Sequence, residues 1–277
     1  MAGATDGLDS PYALSPEQIR HYQADGHVRL HAVASPLEIA THGPAIRDQV
    51  YRLSQGTRPL AERDTYGKAF LQVGGLRHHD EGCRRFVLAR RFGRIAAELM
   101  GVDGVRIYND QALFKEPGGG HTPWHQDQVY WPLSTPHTTT MWMPLVPVPE
   151  AVGSMRFVSG SQRFGQIVDL TIGDASQAYY EAFIAEHGLE VVGYGAMRAG
   201  DATFHSGWTL HHAAGNPTPG TREVMTVIYV ADGARLIAPD SSERATDLRE
   251  LFPGLGPGDL AASALNTLVY RGGGASG

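Results

Sequence analysis

The chain has 277 residues, 42% of them hydrophobic, and a formal net charge of −6. That supplies a sizeable core for one large unit or two small ones. No Lys/Arg-rich run is present, which argues against a nucleic-acid partner, and no apolar run approaches the 18 residues or so of a membrane span.

Taken in order, residues 1–13 read as a disordered, polar leader that is neither a secretory signal nor a transit peptide. Ser15-Pro16-Glu17-Gln18 is a helix start, with a Ser cap, Pro at the first helical position and Gln three residues after the cap. This helix is expected to run to Asp25 and stop at Gly26, with a short strand over 27–30. Ser35-Pro36 opens a second helix extending through Val50 to about Leu53. Residues 55–75 lack periodicity and read as a loop near an opening. Glu81 to Met100 carries apolar residues at three- and four-residue spacing and predicts one helix ended by Gly101. Cys83, the single cysteine, falls in it as a packing residue; no disulfide framework is available, and a reducing cytoplasm fits.

Beyond residue 103 the pattern changes to strands. Residues 104–115, 138–148, 153–158, 190–197, 202–205 and 223–231 read as strands, the last buried on both faces. Asp174 to His187 is an inserted helix, Ala245 to Leu251 another, and the remaining tail reads as Gly/Pro-rich coil. Short strands between turn signals argue for a sandwich or jelly roll. With the helices clustered early, the fold expectation is mainly β with flanking α. The organisation expected is a helical part over about 14–102, a strand core over 103–232 and an extension over 233–277, within a single 14–277 domain.

The chemistry concentrates in two stretches. In the first, Trp124-His125-Gln126-Asp127 places an imidazole and a carboxylate two residues apart, so an extended strand aims both at one point. Such a pair is two thirds of a 2-His-1-carboxylate set, which suits non-haem Fe(II) and leaves coordination positions open. The second stretch, Gly200 to Arg222, holds His205, His211 and His212 as sources of a third ligand. It ends in an arginine, whose fork suits a carboxylate. A Gly-rich turn at 118–120 lacks the Lys-Ser/Thr ending of a phosphate loop, and no Gly-x-Ser-x-Gly elbow marks a serine hydrolase.

These stretches, with the N-terminal Leu14-Ser15-Pro16-Glu17-Gln18, the run Asp25 to Val28, Gly153-Ser154-Met155 and Ser159-Gly160-Ser161, resemble the phytanoyl-CoA dioxygenase family of Fe(II)/2-oxoglutarate oxygenases. The resemblance spans most of residues 14–232. It implies a double-stranded β-helix, a cupin-like jelly roll with the N-terminal helices packed on one sheet. It implies Fe(II) with 2-oxoglutarate and O2 as cosubstrates. The family pattern places iron on His125, Asp127 and a distal histidine five residues before an Asn and 11 before an Arg; His211 meets both spacings, His212 neither. His205 then reads as a supporting or core residue. Arg222 becomes the partner of the distal 2-oxoglutarate carboxylate, and Gln111, Gln126 and Trp142 resemble positions lining the cosubstrate pocket.

One departure is Ala213, where the family commonly has a hydroxyl residue; Thr221 is the candidate to compensate. The retained Asp127 argues against halogenation, which in relatives goes with a small residue at that position. Tyr130 and Trp131 are expected at the substrate pocket, along with residues 60–75 and the inserted helix near Tyr179 to Phe183; Arg156 and Arg198 are weaker candidates. The resemblance implies oxidation of a small-molecule metabolite or natural-product intermediate by a cytoplasmic hydroxylase, with no nucleic acid, membrane or obligate protein partner. Two other readings compete: a hydrolase or isomerase using a different metal on a cupin-like barrel, and a non-catalytic binding jelly roll.

Overall fold

The computed structural model describes residues 7–272. The expected leader lies partly outside them, at residues 1–6. Of the remainder, Gly7–Asp9 form a 3-10 turn that buries Leu8, tied down by Arg91, which donates to the carbonyls of Gly7 and Ser10.

Four helices come first. α1 (Pro16–Asp25) and α2 (Pro36–Leu53) both start with a complete capping box, on Ser15 with Gln18 and on Ser35 with Glu38. Gly26, at φ 80°, ends α1 and hands the chain to β1 (His27–Leu30). β2 (Leu71–Gly74) lies inside the stretch expected to be a loop. The single helix expected over 81–100 is two, α3 (Glu81–Val87) and α4 (Arg90–Met100). Helical periodicity continues across the break, but packing does not. Residues six apart on one helix face different sides, and the bend at Leu88-Ala89 instead brings Phe86 and Phe92 into edge contact at 5.2 Å.

The strands follow: β3 (Gly104–Phe114), β4 (Thr122–His125), β5 (Thr138–Pro144), β6 (Met155–Val158), then α5 (Asp174–His187), β7 (Val191–Gly193), β8 (Ala202–Ser206), β9 (His211–Ala213) and β10 (Val224–Ala231). The tail holds α6 (Ser242–Leu251) and a strand that the coil reading missed, β11 (Leu268–Arg271), paired to β3. All pairings are antiparallel. The larger sheet runs β1-β8-β5-β10-β3-β11 with β2 also on β3, and the smaller runs β4-β9-β6-β7. This is the expected jelly roll.

Strand alternation gives the larger sheet two different faces. Ala112, Met141, Met143, Phe204, Met225 and Val227 join the core under α1–α4. The intervening positions, Gln111, Leu113, Thr140, Trp142, His205, Thr226 and Ile228, turn the other way and form the floor of a cavity of about 510 Å³ between the sheets. No helix among the described residues is long and apolar enough to cross a membrane.

Candidate metal centre

The smaller sheet presents two histidines to this cavity. His125 ends β4 and is paired in register with His211, the first residue of β9. Asp127 does not continue the strand as expected. It opens a 3-10 turn, but Gln126 between them keeps extended backbone (φ −114°, ψ 130°), so His125 and Asp127 still converge. Nε2 of His125 is 3.5 Å and Nε2 of His211 is 3.7 Å from Asp127 Oδ1. One donor atom from each residue lies within 4.8 Å of the others, a group that could hold a metal ion.

The protonation pattern suits that task. His125 Nδ1 donates to the Pro123 carbonyl at 2.8 Å and His211 Nδ1 to the Thr209 carbonyl at 2.9 Å. Each bond fixes the tautomer and leaves the Nε2 lone pair aimed inward. Burial pushes His211 well below the ordinary histidine range. Burial alone would raise the Asp127 carboxyl; the surrounding histidines, His211 foremost, hold it well below the usual carboxylate range. Its Oδ2 accepts from Thr140 Oγ1 at 2.9 Å and from His205 Nε2 at 3.2 Å. Two imidazoles with Nε2 turned inward and an ionised carboxylate, with the cavity beside them, match non-haem Fe(II).

Arg222 lies in the same cavity, 2% exposed and with no carboxylate partner among the described residues. Its Nη1 donates to the Gly153 carbonyl at 2.5 Å, its guanidinium sits 5.3 Å from the Trp142 ring centroid, and its Nε has no partner. Burial pushes its pKa down to about 9. An uncompensated buried guanidinium with a vacant donor is costly unless an anion joins it. A dicarboxylate such as 2-oxoglutarate fits that demand. Lys115, bridged to Arg222 across the backbone, is buried beside it and donates to the Gly120 carbonyl at 2.5 Å.

The expected site residues divide. His125, Asp127, His211, Arg222, Gln111, Trp142, Tyr130 and Trp131 all line the cavity. Gln126 does not: one residue from either His125 or Asp127 on extended backbone, it faces the opposite way. There its amide donates to the carbonyls of Gly165 and Trp208 and accepts from Ile167 N–H. Thr221, also one residue out of phase with Arg222, is outside the lining too. His212 packs its ring on Trp124, with centroids 4.0 Å apart. The loop 60–75 contributes Tyr66, Phe70 and Gln72, whereas the inserted helix α5 contributes none; the segment just before it supplies Thr171 and Ile172. Arg156 and Arg198 are absent from the lining.

Sequence reasoning missed Thr140, met Gly153 only as part of a family motif and not as the partner of Arg222, and left His205 between support and core. Thr140 and His205 sit opposite each other in the β5–β8 register, a pairing that no local pattern reveals. Asn216, which entered only as a spacing marker, is a staple: its amide donates to the carbonyls of Lys115, Glu116 and Gly220, fixing the turn between His211 and Arg222.

The phytanoyl-CoA dioxygenase (PhyH) family model matches residues 22–224, a span that holds all four central residues. The chain belongs to the phytanoyl-CoA dioxygenase family. A curated relative, a probable alpha-ketoglutarate-dependent hypophosphite dioxygenase of Stutzerimonas stutzeri, is 23% identical over 236 residues, 79% of each chain. The solved non-heme alpha ketoglutarate-dependent carbocyclase SnoK from nogalamycin biosynthesis is 25% identical with a TM-score of 0.76, over 94% of this chain and 100% of that one. EctD from S. alaskensis, with 2-oxoglutarate and 5-hydroxyectoine, shares the fold at 18% identity and a TM-score of 0.66, over 87% of this chain and 86% of its own. This PhyH-family chain is an Fe(II)- and 2-oxoglutarate-dependent dioxygenase.

Proposed function

We propose that His125, Asp127 and His211 hold Fe(II), that Arg222 takes the distal carboxylate of 2-oxoglutarate, and that the reaction hydroxylates an unactivated C–H bond of a small metabolite or natural-product intermediate. The observation that carries this reading is the pairing of the His-Asp-His cluster with an uncompensated, buried Arg222 in one cavity. A hydrolase or an inert binding jelly roll has no use for that anchor.

Iron and cosubstrate, when bound, supply the oxidising power: one O2 is consumed, 2-oxoglutarate leaves as succinate and CO2, and the substrate gains a hydroxyl. The chain's own contribution is placement. Asp127 is kept ionised and oriented by Thr140 and His205. Trp142 lies beneath the Arg222 guanidinium and Gly153 holds one of its arms, so the fork is set before the anion arrives. Tyr66 donates to Gln72, which donates to Gln111, a chain that braces the wall beside the cosubstrate region. No side chain is needed as a general base. Residues 14–277 act as one catalytic unit on a free small molecule, in the cytoplasm, where a lone buried Cys83 fits a reducing setting.

The test is anaerobic titration with Fe(II) and 2-oxoglutarate, following the weak visible band of such chelates near roughly 500 nm. Wild type and His212→Ala are expected to develop it, and His211→Ala is expected not to. Folded wild-type protein that binds iron and shows no band on adding 2-oxoglutarate would overturn the reading.

A further inference from the structure

The outer wall of the cavity has a charge pattern that cofactor binding leaves unused. Besides the residues around the metal cluster and Arg222, the lining includes Tyr66, Phe70, Tyr130 and Trp131 together with Glu243 and Asp247 of α6. The two acids are four residues apart and so share a helix face. Glu243 accepts only from neighbouring Ser242 Oγ, at 2.9 Å, and Asp247 from Tyr108 O–H, at 2.5 Å. Among the described residues neither has a basic partner. Arg244, between them, is engaged with Asp240 at 2.8 Å and Gln166 at 3.2 Å and is not part of the lining.

Charge counting sharpens the point. Fe(II) offsets Asp127 and one further negative charge, and Arg222 takes another, so Fe(II), 2-oxoglutarate, Asp127 and Arg222 sum to zero. Arg222 is the sole Lys or Arg in the lining. The α6 carboxylates therefore remain uncompensated. Glu243 lies in the first helical turn, where the positive helix end offsets part of its charge; Asp247 lies beyond that turn. Burial pushes the Asp247 carboxyl up to about 6, which leaves it ionised at neutral pH but poorly solvated.

The same part of the cavity is aromatic: Tyr130 and Trp131 pack in one cluster with Leu248 and Leu251 of α6. The Tyr130 hydroxyl accepts from Ile172 N–H at 2.7 Å, pinning its ring. Aromatic rings beside carboxylates that lack a basic partner are what a desolvated ammonium group requires, since ring and carboxylate both attract it. Phosphates find nothing here to neutralise them.

Building on the proposal that this cavity is the oxygenase site, we infer that the substrate carries a positive charge, an alkylammonium or quaternary ammonium group. That group is seated among Tyr66, Tyr130 and the carboxylates of Glu243 and Asp247. Acyl-CoA thioesters and other polyanions are excluded. The cavity of about 510 Å³ has to hold iron and 2-oxoglutarate as well as the substrate, and its size suits a small organic molecule beside them.

Calorimetry on the anaerobic Fe(II)/2-oxoglutarate enzyme tests this with three probes: benzyltrimethylammonium, neutral benzyl alcohol and anionic phenylacetate. The cation should bind about tenfold or more tightly than either of the others. A Glu243→Gln/Asp247→Asn double variant should lose that preference while still forming the visible cofactor band. Equal or weaker binding of the cation, no measurable binding of it, or a preference that survives in the double variant would overturn the inference. Absence of the band in wild type would instead strike the oxygenase reading, so the two failures are told apart.

Discussion

Nε2 of His205 lies 3.2 Å from Oδ2 of Asp127, the carboxylate oxygen that does not make the contacts to His125 and His211. His205 is 1% exposed, so its ring is held in place by packing around this bond. A donor in this place orients a metal-binding carboxylate without touching the metal. His205→Leu should weaken Fe(II) binding about 10- to 100-fold, and His205→Gln, which keeps a donor, should recover much of it. Fe(II) titration of both variants checks this; equal losses in the two would rule out the hydrogen bond as the cause.

Arg222 enters the cavity as a fork, not as a point charge, with one arm held by the Gly153 carbonyl. Arg222→Gln should raise the 2-oxoglutarate dissociation constant about 100-fold, and Arg222→Lys should fall between that variant and wild type. The Fe(II) dissociation constant should stay close to wild type in both. A Lys variant that binds 2-oxoglutarate like wild type would argue against two-armed recognition.

Gly153 joins the metal sheet to the arginine. Its φ is +73°, and a Cβ there would lie 2.2 Å from the Ala214 carbonyl oxygen. Gly153→Ala must move backbone and should cost about 2 kcal/mol or more of stability. Because the Gly153 carbonyl also holds Arg222 Nη1, 2-oxoglutarate affinity should fall with it. Thermal melting with and without 2-oxoglutarate separates the two effects. An unchanged melting temperature would contradict the clash.

Lys115 makes the apo protein sensitive to alkali in an unusual direction. Burial, then the nearby Arg222 charge, push its ammonium down to about 6, against about 10.4 in an unfolded chain. Between those values the unfolded state holds the extra proton, so this group's contribution to stability rises with pH. Below about 6 the full cost is present; above about 10.4 it vanishes. Lys115→Met should therefore melt higher than wild type at neutral pH without ligands, with the gap closing towards pH 10. A gap that stays constant across that window would show that Lys115 is charged in the fold.

The convergence of His125 and Asp127 was legible because the constraint on them is local. His-x-Asp needs only extended backbone, and that survived the change from strand to 3-10 turn after His125. Capping boxes on Ser15 and Ser35 likewise depend on four consecutive residues. Gln126 and Thr221 lie outside the lining because the same two-residue alternation puts them out of phase with Asp127 and Arg222. What stayed hidden was non-local. β11 exists because β3 offers an edge, β2 for the same reason, and the break between α3 and α4 answers to the packing of Phe86 on Phe92. His205 and Thr140 meet Asp127 only through strand register. Nothing in α6 taken alone announces that Glu243 and Asp247 face the cavity.

The cluster around Asp127 rests on strands and on the turn that ends one of them, but other parts of the cavity lining come from pieces outside both sheets: Tyr66, Thr171, Ile172 and one face of α6. Reactivity and selectivity therefore drift independently in such a molecule. A lineage can rewrite these borrowed segments, or an engineer can transplant them, and acquire a new client without rebuilding the furnace.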